Sequence, residues 1–199
     1  PQIKYGVVGE YGAHKDFLRD LLLFYSSKEK KLVSLAEYVE RMPEDQPYIY
    51  YASGSGLDKV EHLPQAERIL DKGYEILYLT QDVDEFVINA LEKQGEKQFK
   101  SISDADALPQ TDEEKKAAEE KAEEAKPVLN FVKETLGDKV KEARLSKILR
   151  SGAVCMTTDG PMSLEMEKYF NRHGDAMPMK AERVLELNPD SGAYRALSA

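Results

Sequence analysis

The chain has 199 residues, 41% of them apolar and 33% charged, which is enough for one large domain or two small ones. A net charge of −9 excludes a nucleic-acid binder that works through Lys/Arg excess, and no apolar run approaches the roughly 20 residues that span a bilayer. One cysteine excludes an intramolecular disulfide and suits a reducing compartment.

The first residues, Pro1-Gln2-Ile3-Lys4-Tyr5, carry no charged-then-apolar leader and no Met, so an excised fragment is expected. Gly12 to Tyr25 is rich in large apolar groups (Phe17, Leu18, Leu21, Leu22, Phe24) and is expected to be a helix whose apolar face needs a partner. A polar connector runs from Ser26 to Lys31.

The next unit is fully punctuated. Ser34 and Glu37 form a capping box, and Leu35, Tyr38, Val39 and Met42 then share one helical face. Pro43 opposes continuation of the helix, and Pro47 biases Gln46 toward extended backbone. An aromatic strand, Tyr48 to Ala52, ends at the turn Gly54-Ser55-Gly56.

Short helices are expected over Leu57–Glu61 and Pro64–Asp71, with Gly73 suited to the C′ position of the second. Glu75 to Leu79 reads as a strand. A strand, a helical crossover and a strand imply a parallel pair. Asp82, with Glu85 three residues on, is expected to cap a helix from Val83 to Lys93, followed by a short strand near Phe99–Ile102.

Asp104 to Gln110 reads as a boundary. Thr111 to Lys126 is almost wholly Glu, Lys and Ala, with opposite charges such as Asp112 and Lys116 four apart, and is expected to be a solvated helix or spacer. Pro127 is a candidate kink, after which Val128, Leu129, Val132 and Leu136 form an apolar stripe up to Gly137. Strands follow at Val140–Leu145, Ala153–Thr157 and Arg183–Leu187, interrupted by a helix from Pro161 to about Phe170. The expected class is α/β (α+β overall): a small three-layer α/β/α domain with a parallel sheet, joined by a long charged helix to a small mixed α+β domain.

Little here points to bond chemistry. Gly54-Ser55-Gly56 after a strand suits a phosphate cradle, but it lacks the Lys and Ser/Thr of a P-loop and the third glycine of a dinucleotide fingerprint, so a plain turn is favoured. His14, His62 and His173 have no partner at metal-ligand spacing, and Cys155, inside an apolar run, reads as a small core residue. No catalytic, cofactor or metal residue is assigned.

Two segments stand out as binding surfaces. In Asp84-Glu85-Phe86-Val87-Ile88-Asn89, three consecutive apolar residues cannot all face one core. Met162, Met166, Tyr169 and Phe170 form an i, i+4, i+7, i+8 stripe, followed by Met177 and Met179 in a loop with Gly174 and Pro178. Methionine is flexible and polarisable, as suits a surface that repacks around many partners, and this stripe is expected to be substantially exposed or mobile. A packed core is the competing reading.

The run from Ser34 to Gly54 resembles a signature of the ninety-kilodalton heat-shock chaperones, in particular their bacterial branch. The likeness continues through Gly73–Thr80, Asp82–Glu85, Val128–Val140, Ala153–Thr158 and Leu185-Glu186-Leu187-Asn188-Pro189. It implies a molecular chaperone: 1–33 as a helical segment ending the large middle subdomain, 34–110 as the small α/β/α middle subdomain, and 111–199 as a C-terminal domain stopping before its dimerisation helices. It also implies that unfolded clients touch Glu85, Phe86 and Asn89, and then Met162, Met166, Tyr169 and Phe170. Many relatives carry tryptophan in place of Phe86. The implied full-length protein is a cytoplasmic, homodimeric ATPase using ATP and Mg, with links to the seventy-kilodalton chaperone system. This chain is expected to be monomeric and to lack the ATP site. Two alternatives stay open: an α/β enzyme holding a phosphate at Gly54–Gly56, and a structural connector whose methionine helix is buried.

Overall fold

The computed structural model describes residues 2–104, 106–173 (without the His173 side chain) and 180–198. The expectations for Gly174, Met177, Pro178 and Met179 fall outside the described residues. The chain divides into two compact units, Pro1–Ile102 and Ser103–Ala199.

The first unit opens with α1 (Gln2–Val8) and α2 (Lys15–Leu18), linked through Glu10 and Tyr11, both at positive φ. The helix expected to run on to Tyr25 stops early. Leu23–Ser26 is strand β1, because Phe24 and Ser26 turn inward while Leu23 stays exposed, a period of two that no helix can satisfy. Lys30, at φ +55°, lets the chain double back into β2 (Leu32–Ser34), antiparallel to β1. The division expected at 33/34 therefore falls inside a strand, and β1 and β2 join the same sheet as the residues that follow.

The Ser34 capping box opens α3 (Leu35–Glu40): Ser34 Oγ accepts the Glu37 N–H at 3.2 Å, and Glu37 Oε2 accepts the Ser34 N–H at 2.8 Å. Strand β3 (Ile49–Ser53), helices α4 (Leu57–Val60) and α5 (Glu67–Asp71), strand β4 (Ile76–Leu79), helix α6 (Asp84–Leu91) and strands β5 (Lys93–Gln94) and β6 (Lys97–Ser101) complete the unit. The sheet order is β2-β1-β4-β3-β6-β5. Only β4-β3-β6 is parallel, and antiparallel strands flank it on both sides, so the sheet is mixed rather than parallel.

Every residue of β4 is buried, as a strand covered on both faces requires. Leu77 and Leu79 face a core made with Val7, Phe24, Tyr38, Ile49, Val87 and Ile88. Tyr38 also carries a polar core. Its hydroxyl donates to the Glu75 carbonyl and accepts from Gln46 Nε2 at 2.8 Å and Tyr50 N–H at 3.2 Å. Burial holds its pKa above the usual phenol value.

In the second unit α7 (Asp112–Leu136) runs unbroken through Pro127. Thr111 and Glu114 form a second capping box, with Glu114 N–H to Thr111 Oγ1 at 3.2 Å and Thr111 N–H to Glu114 Oε2 at 2.8 Å. Its acidic first half is largely exposed, but Ala125, Leu129 and Val132 are core, packed with Leu185 and Leu187. The helix is thus a structural part of this unit rather than a spacer. Strands β7 (Glu142–Leu145), β8 (Val154–Asp159) and β9 (Glu182–Leu187) form a sheet of order β7-β9-β8, parallel between β7 and β9 and antiparallel between β8 and β9. Helix α8 (Leu164–His173) lies between β8 and β9 in sequence, and α9 (Gly192–Leu197), not expected from the sequence, follows β9.

Candidate functional site

The glycine turn after β3 is a packing device. A Cβ on Gly54 would meet Val60 Cγ2 at 2.6 Å, and one on Gly56 would meet Asp58 Oδ1 at 2.8 Å. A phosphate there would face a carboxylate, and the following α4 is only 4 residues long. The turn is explained without a ligand. His14 contacts Glu10 Oε2 at 3.2 Å and His62 Nδ1 contacts the Asp58 carbonyl at 2.7 Å. Cys155 is buried, and burial followed by the nearby Glu186 pushes its thiol up to about 12, which leaves it un-ionised and inert. Among the described residues no cluster of three or more His, Cys, Asp or Glu is placed to hold a metal, and no helix is long and apolar enough to cross a membrane.

The second unit has an open cleft of about 950 Å³ rimmed by cations. Lys141 already pairs with Asp159 and Glu182 at 2.7 Å each, Arg183 with Glu167 at 2.6 Å, and Lys133 with the Gly137 and Val140 carbonyls at 2.7 and 2.6 Å. These three charges are engaged within the fold, while Lys139 and Lys180 share the rim with Asp138 and Glu182.

The first apolar surface lies on α6. Val87, Ile88 and Leu91 are buried in the core, which leaves Phe86 half-buried and Asn89 exposed, with Glu85 buried at the edge. The tension of three consecutive apolar residues is thus resolved by leaving Phe86 partly outside. Asp84, the first residue of α6, reaches back from the helix: its Oδ2 accepts the Gln81 N–H at 3.1 Å, and its Oδ1 stands 2.6 Å from Lys4 Nζ in a buried ion pair. Burial raises the Asp84 pKa, against the opposing pull of Lys4.

The second surface lies at α8. Ser163 Oγ accepts the Met166 N–H at 3.0 Å at the start of the helix. Met162, Met166, Tyr169 and Phe170 are all half-buried, and the two rings meet edge to face with centroids 5.8 Å apart. The stripe is thus partly rather than substantially exposed, with Tyr169 and Phe170 covering part of each other. Off the stripe, buried Glu167 ties the helix to the start of β9 through Arg183 at 2.6 Å and the Ala181 N–H at 2.7 Å. Burial pushes the Glu167 pKa up, but these two donors outweigh it and hold the carboxyl below its ordinary value.

Sequence reasoning missed Glu167 because its partners lie 14 and 16 residues on, across a segment with no periodic signal. It also missed Glu186, buried under Arg144 at 2.8 Å, Ser146 at 2.8 Å and Thr157 at 3.1 Å. The alternation along β9, with Leu185 and Leu187 facing α7, would have placed Glu186 on the opposite face.

Comparison with known proteins adds identity to this geometry. The family model described as Hsp90 protein matches residues 1–199. The chain is 54% identical over 196 residues to the chaperone protein HtpG of Bacillus velezensis and 53% identical to that of Bacillus subtilis, in each case over 98% of this chain and 31% of the relative. It is 50% identical to HtpG of Clostridium acetobutylicum over 100% of this chain and 31% of the relative. The middle domain of a Plasmodium falciparum heat shock protein, a solved structure, aligns with a TM-score of 0.47 and 30% identity over 52% of this chain and 43% of that one. The chain spans about a third of the length of the curated relatives it matches, and it belongs to the Hsp90 protein family.

Proposed function

We propose that this chain supplies client-contacting surface of a molecular chaperone, through Glu85, Phe86 and Asn89 on α6 and through Met162, Met166, Tyr169 and Phe170 at α8. The observation that carries this reading is the half-exposure of aromatic and methionine side chains on helices anchored by buried ionic contacts, Asp84 in one case and Glu167 in the other. An unfolded client offers apolar segments without fixed shape, and such side chains repack around them. Family membership supports the assignment.

On this reading Pro1–Ile102 is middle-domain structure and Ser103–Ala199 belongs to a C-terminal domain. ATP and Mg are bound elsewhere in the longer protein, which is cytoplasmic, homodimeric and a partner of the seventy-kilodalton chaperone system. The present chain is a monomer without ATPase activity.

A half-buried side chain keeps about half of the ~1.5–3 kcal/mol available from full burial. Two such residues then account for a roughly ten- to hundredfold change in affinity. Labelled, reduced and carboxymethylated α-lactalbumin serves as the unfolded probe, read by fluorescence anisotropy. Met166→Ser with Phe170→Ser should weaken binding at least about tenfold while moving the melting temperature by only a few degrees. A large loss of thermal stability with unchanged affinity would place the stripe in a core and overturn the proposal.

A further inference from the structure

Helix α6 is poorly equipped to end itself. It has 8 residues and no basic residue in its last turn. Glu92 follows it at φ +62° and ψ −46°, a conformation strained for any residue but glycine, and places a carboxylate at the negative end of the helix dipole. An isolated helix of this length is marginal in water.

Its terminations come from the first twenty residues. At the N-terminal end Lys4 Nζ pairs with Asp84 at 2.6 Å and sits 4.3 Å from the centroid of the Phe24 ring. At the C-terminal end Lys15 Nζ donates to the Ala90 carbonyl at 2.9 Å. Just past the helix, Arg19 Nη1 donates to the Lys93 carbonyl and to Gln94 Oε1 at 3.1 Å, holding β5 against the helix end, while Nη2 is steadied by Asp16 at 3.3 Å. Cations at a helix C-terminus satisfy orphan carbonyls and oppose the dipole. Here they arrive from 74–75 residues away in sequence.

We infer that Lys4, Lys15 and Arg19 are positioning residues for the surface on α6, a clamp that holds the helix at both ends and so presents Glu85, Phe86 and Asn89 in a fixed geometry. The inference rests on the client-contacting role proposed for α6. A fixed anchor loses less freedom on binding than a fraying one, so the clamp raises affinity without touching the client.

The test is a double-mutant cycle in this chain with the same α-lactalbumin probe. Lys15→Gln with Arg19→Gln should weaken binding about five- to tenfold, somewhat less than the worth of one charge-assisted hydrogen bond because the effect reaches the client only through the helix. Hydrogen exchange of residues 88–94 should accelerate while that of β3 and β4 stays unchanged. Lys15→Arg, which keeps a cationic donor, should bind like the parent. Combined with Phe86→Ser, the clamp variant should lose little more than Phe86→Ser alone, because both act through one group. If Phe86→Ser by itself leaves affinity unchanged, the proposed role of α6 fails and the clamp with it. If Phe86→Ser weakens binding but the clamp variant leaves affinity unchanged, or its loss adds in full, the clamp alone is overturned.

Discussion

Helices α6 and α8 present similar side chains at similar exposure, yet they are held by opposite means. α6 buries Val87, Ile88 and Leu91 in a large core and is tied at both ends to residues distant in sequence. α8 is tied near its own place in the chain, by Ser163 at its start and by Glu167 to Ala181 and Arg183. A helix packed in a large core and pinned from afar can fray at one end, but it leaves its place only when its unit loosens. One fixed by short-range contacts can loosen alone. The difference predicts that the two surfaces fail differently.

The sharpest break in this comparison is Asp84→Asn. It leaves Lys4, 7% exposed and stacked over the Phe24 ring, without its counter-charge. Removing one member of a buried pair costs about 3–5 kcal/mol. Since α1 and β1 share the core with α6, the loss should appear as faster exchange throughout β3 and β4. Replacing both partners, Lys4→Met with Asp84→Asn, should restore most of it, because desolvated pairs are often matched by apolar substitutes. A double variant no more protected than the single one would show that the ion pair is worth more than its desolvation cost.

Glu167 should fail locally. Glu167→Ala strands the Ala181 N–H and leaves Arg183 unpaired, at a cost of about 2 kcal/mol. Exchange should rise in α8 and at 181–183, with α7 and the first unit unaffected. The pH dependence has a definite sign. The folded-state pKa of Glu167 lies below the ordinary 4.5, so its contribution is complete above that value and is lost as pH falls through the depressed one. Acidification should therefore loosen α8 and residues 181–183 as Glu167→Ala does at neutral pH. Protection of α8 that survives acidification would show that Glu167 does not hold it.

This contrast also explains what the sequence made legible. Ser34 with Glu37, the strand ending at Ser53 and the stripe ending at Leu136 are written in local spacing, and all three appear in the fold. Leu23–Ser26 was hidden, because a run of apolar residues satisfies a helix and a buried strand alike until its neighbours are known. The mixed sheet was hidden for the same reason: only the pairing of β1 with β4 reveals the antiparallel side. On the candidate surfaces, the residue types were visible but their degree of exposure was not. Tyr169 shields Phe170 and Val87 excludes Phe86 from the core only in three dimensions.

The smallest effect belongs to the cap on α7, and it sharpens the comparison by adding a helix held by local contacts alone at one end. Thr111→Ala removes the oxygen that accepts the Glu114 N–H, worth about 1 kcal/mol in a typical N-cap. The first half of α7 is largely exposed, and its ion pairs, such as Lys115–Asp112 at 3.5 Å, are solvated and contribute little. No packing transmits the loss to Ala125, Leu129 and Val132, which anchor the second half. Exchange should therefore quicken over residues 112–118 only, with the melting temperature moved by at most a few degrees. Loss of protection reaching Leu129 would mean that the charged half steadies the core half, and that helix cooperativity outweighs the boundary between exposed and packed residues.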